Sequence, residues 1–283
     1  MLVLFEPGKS RVFFASRSSI LLYMTPTTLD PGDVLYRDND LLAINKPAGV
    51  PVHGSRILED TPETLLAMVR QLEGRLSHPA HRLDRPVSGV SLFAGTRDLL
   101  AELGQSFENR EVKKRYLAVV RGWTETSGTI SHELRPPKDV RKSGSVAREA
   151  VTRFERIARV EIPIPVQPYA TSRYSLLGLY PETGRRHQLR MHMKHISHHL
   201  IGDTTYGRGE HNRLFQENLE CHRLLLHAWS LEFCHPRSGQ QILIQAPLDN
   251  AFSGVINSFG WGGNLASWVE ESQQTTSIRK TAN

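Results

Sequence analysis

Residues Ser77–Ala94 read SHPAHRLDRPVSGVSLFA. A lone carboxylate, Asp84, stands between Arg82 and Arg85, directly ahead of an apolar run of strand length. Positive charge on both sides favours the ionised form of the acid. An ionised carboxylate is a poor general acid but a serviceable nucleophile or weak base. The run that follows would anchor it on a rigid strand, and a glycine inside such a run, Gly89, marks a close backbone approach. An isolated Asp–Arg pair is equally compatible with a surface salt bridge, so the rest of the chain has to decide.

On the N-terminal side, VLYRD and LLAIN flank Asn39-Asp40 between Val34 and Ile44, which is a hairpin signal. TPETLLAMVRQLEG predicts a helix with Thr61 as N-cap, Pro62 at its first position and Gly74 as its stop. On the C-terminal side, TRDLLAELGQSFENR predicts a second helix capped by Thr96, with Leu100, Leu103 and Phe107 inward. EVKKRYLAVVRGW reads as a strand ending at Gly122, and AVTRFERI and RYSLLGLYP as two more. ETGRRHQLRMHMKHISHHL places Leu189, Met193, Ile196 and Leu200 at helical spacing. QQILIQAP is the second arm of a hairpin and NAFSGVINSFGW a closing helix. No internal repeat is visible. Hairpin-like strands with a few separated helices predict an α+β fold around a mixed, mostly antiparallel sheet with flanking helices.

The chain has 283 residues, 23% of them charged and 39% hydrophobic, the profile of a globular protein with a sizeable core. A net charge of +6 suits an anionic partner, nucleic acid being the commonest. Arg135–Arg148 (RPPKDVRKSGSVAR) is a basic, Pro- and Gly-containing segment and reads as an exposed loop. No apolar run is long enough to span a membrane. The N-terminal stretch has no ordered signal-peptide pattern, and Met24 is an alternative start. Cys221 and Cys234 form no disulfide framework, which points to a reducing cytoplasm.

HRLDRPVSGV resembles the signature of the RluA-type RNA pseudouridine synthases, and the family's other blocks follow in order. They are LLAINKPAGVPVH, KKRYLAVVRG, AREAVTRFERI, YPETGRRHQLRMHMKHISHHLIGDTTYG and RLLLHAWSLEFCHPRSGQ. The resemblance covers about Val34 to Trp261. It implies a cofactor-free isomerase that detaches uracil from its ribose, turns it and rejoins it through carbon. A hydrolytic glycosidase needs two carboxylates. An isomerase that must keep water out as the final acceptor needs only one. By resemblance Asp84 is the catalytic residue, either attacking the sugar carbon or removing a sugar proton, Arg190 pairs with it, and Tyr116 packs on the target base. Arg82 would enter the stack that the flipped uridine vacates. Lys46, Arg85, Arg141, Lys142, Arg185, Arg186 and His187 would face RNA. One departure is Val87, where the family usually has Thr. It is expected to alter packing and leave the chemistry intact.

The resemblance also implies domain limits and a substrate. Residues 1–33 would be an extension, 34–262 the catalytic domain and 263–283 a structureless tail, with no room ahead of Val34 for an S4 RNA-binding domain. The expected partner is RNA, above all tRNA at uridine 65 of the T-arm stem, with ribosomal RNA as the alternative. The protein is expected to be a cytoplasmic monomer without membrane or metal partners. Two rivals exist. His192, His195 and His199 could share a helix face and hold zinc, with Cys221, His222, Cys234 and His235 as a weaker set. No H-E-x-x-H accompanies them, and Lys194 and Arg190 would repel a cation. A catalytically dead RNA-binding protein could use the same basic segments. The trio Asp84, Tyr116 and Arg190 argues for an enzyme.

Overall fold

The computed structural model describes residues 28–54, 64–137 and 144–281, the last nine of these by backbone alone. The strands are β1 (Val34–Arg37), β2 (Leu41–Lys46), β3 (His78–Pro79), β4 (Ser88–Ala94), β5 (Lys113–Arg121), β6 (Ser127–Ser131), β7 (Val151–Ile162), β8 (Ser172–Pro181), β9 (Leu226–Cys234) and β10 (Gln241–Gln245). The helices are α1 (Leu65–Glu73), α2 (Arg97–Glu108), α3 (Gln188–His195), α4 (Gly209–Leu219), α5 (Asn250–Ser258) and α6 (Gly262–Thr281). All strands join one sheet in the order β1-β2-β4-β9-β5-β8-β7-β6, with β10 added to β9 and β3 to β4. The expected α+β fold is observed. Among the described residues only the β4–β9 strand pairing is parallel.

That pairing is short, Ser88 to His227 and Gly89 to Ala228. Beyond it β9 continues against β10, while β5 lines its other edge. Gly89 has φ +107°, and a Cβ there would lie 2.2 Å from the Ala228 carbonyl oxygen. The close approach expected from a glycine within an apolar strand is therefore what joins the two halves of the sheet. Ser88 Oγ lies 2.7 Å from His227 Nδ1 and accepts from Arg223 Nη2 at 2.8 Å. His227 Nε2 donates to the Ala246 carbonyl. Burial drops the His227 pKa to about 4, and the Arg223 charge adds to the effect, so the ring is neutral and fits this pattern of one donor and one acceptor.

The middle strands are covered on both faces, which explains continuous apolar runs such as Leu117–Val120. Leu117 and Val119 face a core with Phe215, Phe252 and Trp268 from α4, α5 and α6. Ala118 and Val120 face Leu83, Val87, Leu189 and Met193 on the α3 side, where Tyr116 also packs. Val87, the residue departing from the family pattern, is buried here.

Several local expectations change. The described cap of α1 is Thr64, whose side chain accepts from the Ala67 N–H; Thr61 and Pro62 lie outside the described residues. Gly74 ends that helix in the left-handed region as expected. Thr96 caps α2, but Leu99 and Leu103 take the fully buried positions, with Leu100 and Phe107 partly buried beside them. Helix α3 stops at His195, because Ser197 turns to φ +64°. Leu200 is buried through a bridge to Val120 instead of on the helix. The expected structureless tail is helix α6, seated by Leu265, Trp268 and Val269 against the sheet. Helix α4 had no anticipated counterpart.

Gly89→Ala should lower unfolding free energy by roughly 3 kcal/mol or more, since both the backbone angle and the Ala228 contact resist a side chain. Gly104 lies inside α2 with open space around it, so Gly104→Ala should stabilise by about 0.5–1 kcal/mol. Chemical denaturation of the two variants checks the contrast.

Candidate active site

Asp84 lies in a tight turn just ahead of β4, its carbonyl accepting from the Val87 N–H at 3.0 Å. The next carbonyl, that of Arg85, accepts from the Gly49 N–H at 2.9 Å and from Lys46 Nζ at 3.1 Å. Lys46 also donates to the carbonyls of Pro47 (2.8 Å) and Val50 (2.7 Å). Arg85 returns the tie by donating from Nε to the Gly49 carbonyl. The NKPAG loop thus forms a bracket beneath the turn that carries Asp84.

This corrects the expectation that Lys46 faces RNA. Its side chain is fully buried and its three donors are taken by carbonyls. Burial drops its pKa to about 7, the Arg223 charge pushes the same way, and the Asp84 carboxylate opposes them. Arg85 is exposed but partly committed to Gly49.

The opposite wall comes from α3. Gln188 is buried and fixes the start of the helix. Its amide donates to the Val151 carbonyl and to Thr152 Oγ1, while its oxygen accepts from Thr183 Oγ1 and the Arg185 N–H. His187 precedes it at φ +57°, an uncommon angle for a residue with a side chain. Arg190, on the first turn, points back at Asp84: Nη1 lies 3.4 Å from Oδ2. Its other face is held more tightly. Nε and Nη2 donate to Asp203 Oδ2 and Oδ1 at 2.7 and 2.9 Å. Asp203 Oδ1 in turn accepts from the N–H groups of Thr205 and Tyr206. Burial would raise the Asp203 pKa, but Arg190 and these donors hold it below the usual carboxylate range. Burial would lower that of Arg190, but Asp203 and then Asp84 hold it above its ordinary value.

Asp203 was not anticipated. It stands thirteen residues after Arg190 in sequence, beyond the helix, where no local spacing connects them. Tyr206 was also missed. Its ring lies 5.0 Å from the Arg190 guanidinium carbon, and its hydroxyl 2.9 Å from His187 Nδ1. His187 Nε2 lies 3.8 Å from Asp84 Oδ1, so the group closes a ring of contacts around the carboxylate.

Asp84, Tyr116, His187 and Arg190 line one cavity of about 550 Å³, a size suited to a small organic ligand. Arg82, Lys114, Arg185 and Arg186 line it too. Arg82 is exposed there, and Arg185 donates from Nε to the Glu149 carbonyl. Burial, and then the Asp84 charge, push the Tyr116 phenol well above its ordinary pKa. It stays protonated at neutral pH and cannot serve as a base. His81 also lines the cavity, accepts from the Leu92 N–H and is neutral, burial having dropped its pKa to about 4. Arg141 and Lys142 lie outside the described residues.

The zinc reading of the histidines fails on geometry. His199 lies past the end of α3. Both ring nitrogens of His192 are engaged, with Thr152 Oγ1 and the His132 carbonyl, and His195 stacks on His132 at 3.8 Å. Among the described residues no three His, Cys, Asp or Glu side chains gather as a metal would require.

Residues 40–195 match the family model described as RNA pseudouridylate synthase. Tested against curated proteins, the chain is 46% identical over 235 residues to tRNA pseudouridine synthase C of Haemophilus ducreyi, covering 81% of this chain and 96% of the relative. It is 42% identical over 238 residues to tRNA pseudouridine synthase C of Vibrio cholerae, covering 82% and 98%. Among solved structures, it resembles Human RNA Pseudouridylate Synthase Domain Containing 1 with a TM-score of 0.59 and 26% identity, covering 78% of this chain and 86% of that one. The chain belongs to the RNA pseudouridylate synthase family.

Asp203→Ala should lower single-turnover pseudouridine formation by roughly 10²-fold, as loss of an oriented partner does, because Arg190 then loses the clamp that aims Nη1. Lys46→Met should instead lower stability by about 2–4 kcal/mol, since the Pro47 and Val50 carbonyls lose their Lys46 donor and the Arg85 carbonyl keeps only the Gly49 N–H. Rates and melting curves on both variants separate aiming from bracing.

Proposed function

We propose that this RNA pseudouridine synthase acts on tRNA and converts uridine 65 of the T-arm stem to pseudouridine, with Asp84 as the catalytic residue. The observation that carries the catalytic assignment is the Asp84 carboxylate held against Arg190 at the floor of a cavity of uridine size. The choice of tRNA rests on the names of the curated relatives and on how nearly the chain spans their whole length.

The geometry supports a division of labour. The target uridine leaves its stack and enters the cavity, at a cost of a few kcal/mol. Tyr116 presents an aromatic face to the uracil, and its protonated phenol is a hydrogen-bond donor. Arg190 holds Asp84 oriented toward the sugar while the glycosidic bond breaks. The detached base stays confined, turns, and bonds to the ribose through C5, which then gives up its proton while N1, freed from the sugar, takes one up, so the product is an isomer of the uridine. Arg82, exposed at the cavity mouth, takes the stacking place left by the uridine. Each role falls to a side chain, so the reaction needs no cofactor. Residues 34–262 form the catalytic domain, working as a cytoplasmic monomer. Among the described residues no helix is long and apolar enough to cross a membrane.

Asp84→Asn keeps shape and removes charge. It should fold and bind tRNA yet make no pseudouridine, and near-wild-type product would refute the assignment. Tyr116→Phe should retain more activity than Tyr116→Ala, which loses a stacking contact worth about 1–3 kcal/mol. Equal, severe loss in both would give the phenol a chemical role. Incubating tRNA and ribosomal RNA side by side should yield product in tRNA at position 65; faster modification of ribosomal RNA would overturn the substrate assignment.

A further inference from the structure

Helix α3 presents more than Arg190 to Tyr206. Lys194 lies one turn further on, and its Nζ is 5.9 Å from the same ring. Residues four apart on a helix have Cβ atoms about 5–6 Å from each other. An exposed cation thus continues the line of the site outward from the cavity.

Two arginines extend this line. Arg208, also exposed, is the N-cap residue of α4, and no side chain caps that helix start. The first amides of a helix are donors in need of acceptors, and the dipole favours an anion there. Arg121, at the end of β5, is fixed by uncharged groups. Its Nε donates to His211 Nε2 at 3.0 Å, and His211 Nδ1 lies 2.9 Å from the Tyr174 hydroxyl. Its backbone binds the His199 carbonyl and accepts from His198 Nδ1. Burial, then the Arg121 charge, drop the His211 pKa to about 4, so this partner is a neutral acceptor. Geometry ties the three to one neighbourhood: the Arg121 N–H donates to the His199 carbonyl, the Lys194 carbonyl accepts from the Ser197 N–H two residues before His199, and Arg208 opens the helix turn that carries His211, the partner of Arg121. Burial lowers the His199 pKa too, and the charges of Arg208, Arg121 and Lys194 push the same way.

Among the described residues neither Lys194, Arg208 nor Arg121 makes an ion pair with a carboxylate. Glu210, in the first turn of α4, is the nearby acid. A folded chain that gathers three cations without pairing them bears a repulsion that a bound anion would relieve.

We propose that Lys194, Arg208 and Arg121, with the uncapped start of α4, form a second phosphate-binding surface that grips the substrate RNA backbone outside the catalytic cavity. The inference rests on the reading of this chain as an RNA-modifying enzyme. The surface reads no base. It fixes how a folded RNA lies across α3, as phosphate contacts do.

The test uses the full chain and an unmodified tRNA transcript. The double variant Lys194→Gln/Arg208→Gln removes two exposed charges. Its Kd should rise about tenfold, the size of one charge-assisted contact. Its log Kd–log salt slope should flatten by about one to two, at roughly 0.9 per phosphate for a duplex such as B-DNA. Adding Arg121→Gln should weaken binding further. A control, Arg70→Gln/Arg97→Gln, removes two exposed charges from α1 and α2 and should bind like wild type. The proposal falls if the double variant keeps its affinity and slope, or if the control loses as much. Pseudouridine formation by the wild type on the same transcript is measured in parallel. Absence of product there would defeat the activity on tRNA, and leave the binding comparison to judge this surface by itself.

Discussion

A guanidinium buried to 5% exposure must be neutralised where it sits, and the site is organised around doing this for Arg190. Two carboxylates share it unequally. Asp203, almost fully buried, takes Nε and Nη2 in a two-pronged pairing, the strongest geometry available to such groups. Asp84 receives the remaining nitrogen at a longer distance. Desolvating three charges is costly, and such clusters persist only where each member is well paired. Asp203 meets that demand for Arg190 and leaves Asp84 only longer contacts, with Arg190 Nη1 at 3.4 Å from one oxygen and His187 Nε2 at 3.8 Å from the other. The Asp84 carboxylate can therefore be oriented without being fully enclosed.

Asp84 and Arg190 are 106 residues apart in sequence. The fold brings them together through strands that meet back to back. Asp84 rides at the start of β4, and β4 is pressed to β9 where Gly89 lets the Ala228 carbonyl in. On the other edge of β9, β5 carries Tyr116 toward the same space, its residue paired with Ala228 as well. The Ala228 position is thus a common reference for the strand that follows Asp84 and the strand that carries Tyr116. Helix α3 is set against this assembly by Gln188, whose amide is divided between β7 and the turn after β8. A displacement of any of these strands would reach the carboxylate directly.

What the sequence made legible follows from how local each signal is. Gly74 and Thr96 act within their own turn, and Gly89 signals a close approach without saying which strand makes it; each does what its residue type suggests. The contact of Asp84 with Arg190 spans the chain, and no periodicity reveals it; it was readable only through resemblance to a family. Asp203 escaped notice for the same reason, although GDTTYG lay inside a block already matched. Lys46 misled because a lysine in a block matched to an RNA-modifying family was assigned to RNA, whereas three carbonyls of its own loop and the Asp84 turn enclose it. The tail misled because its composition is polar, yet Leu265, Trp268 and Val269 recur at helical spacing and find a groove beside Gly178. The histidines misled through helical spacing carried past the real end of the helix.

The distribution of charge gives the last link between fold and substrate. Inside, the formal charges nearly cancel: Asp84 and Asp203 face Arg190, and Lys46 lies within the field of Asp84. This balance lets the group stay buried. The unbalanced charge is displaced to the rim, where Arg82, Arg185 and, further out, Lys194 and Arg208 are exposed. Buried pairs resist salt because no counterion reaches them, and exposed cations do not. Rising ionic strength should therefore weaken the hold on RNA long before it disturbs the contacts of Arg190 with Asp84 and Asp203. A protein built this way can release a polyanionic product by exchange at its surface while its reacting groups stay in place for the next uridine.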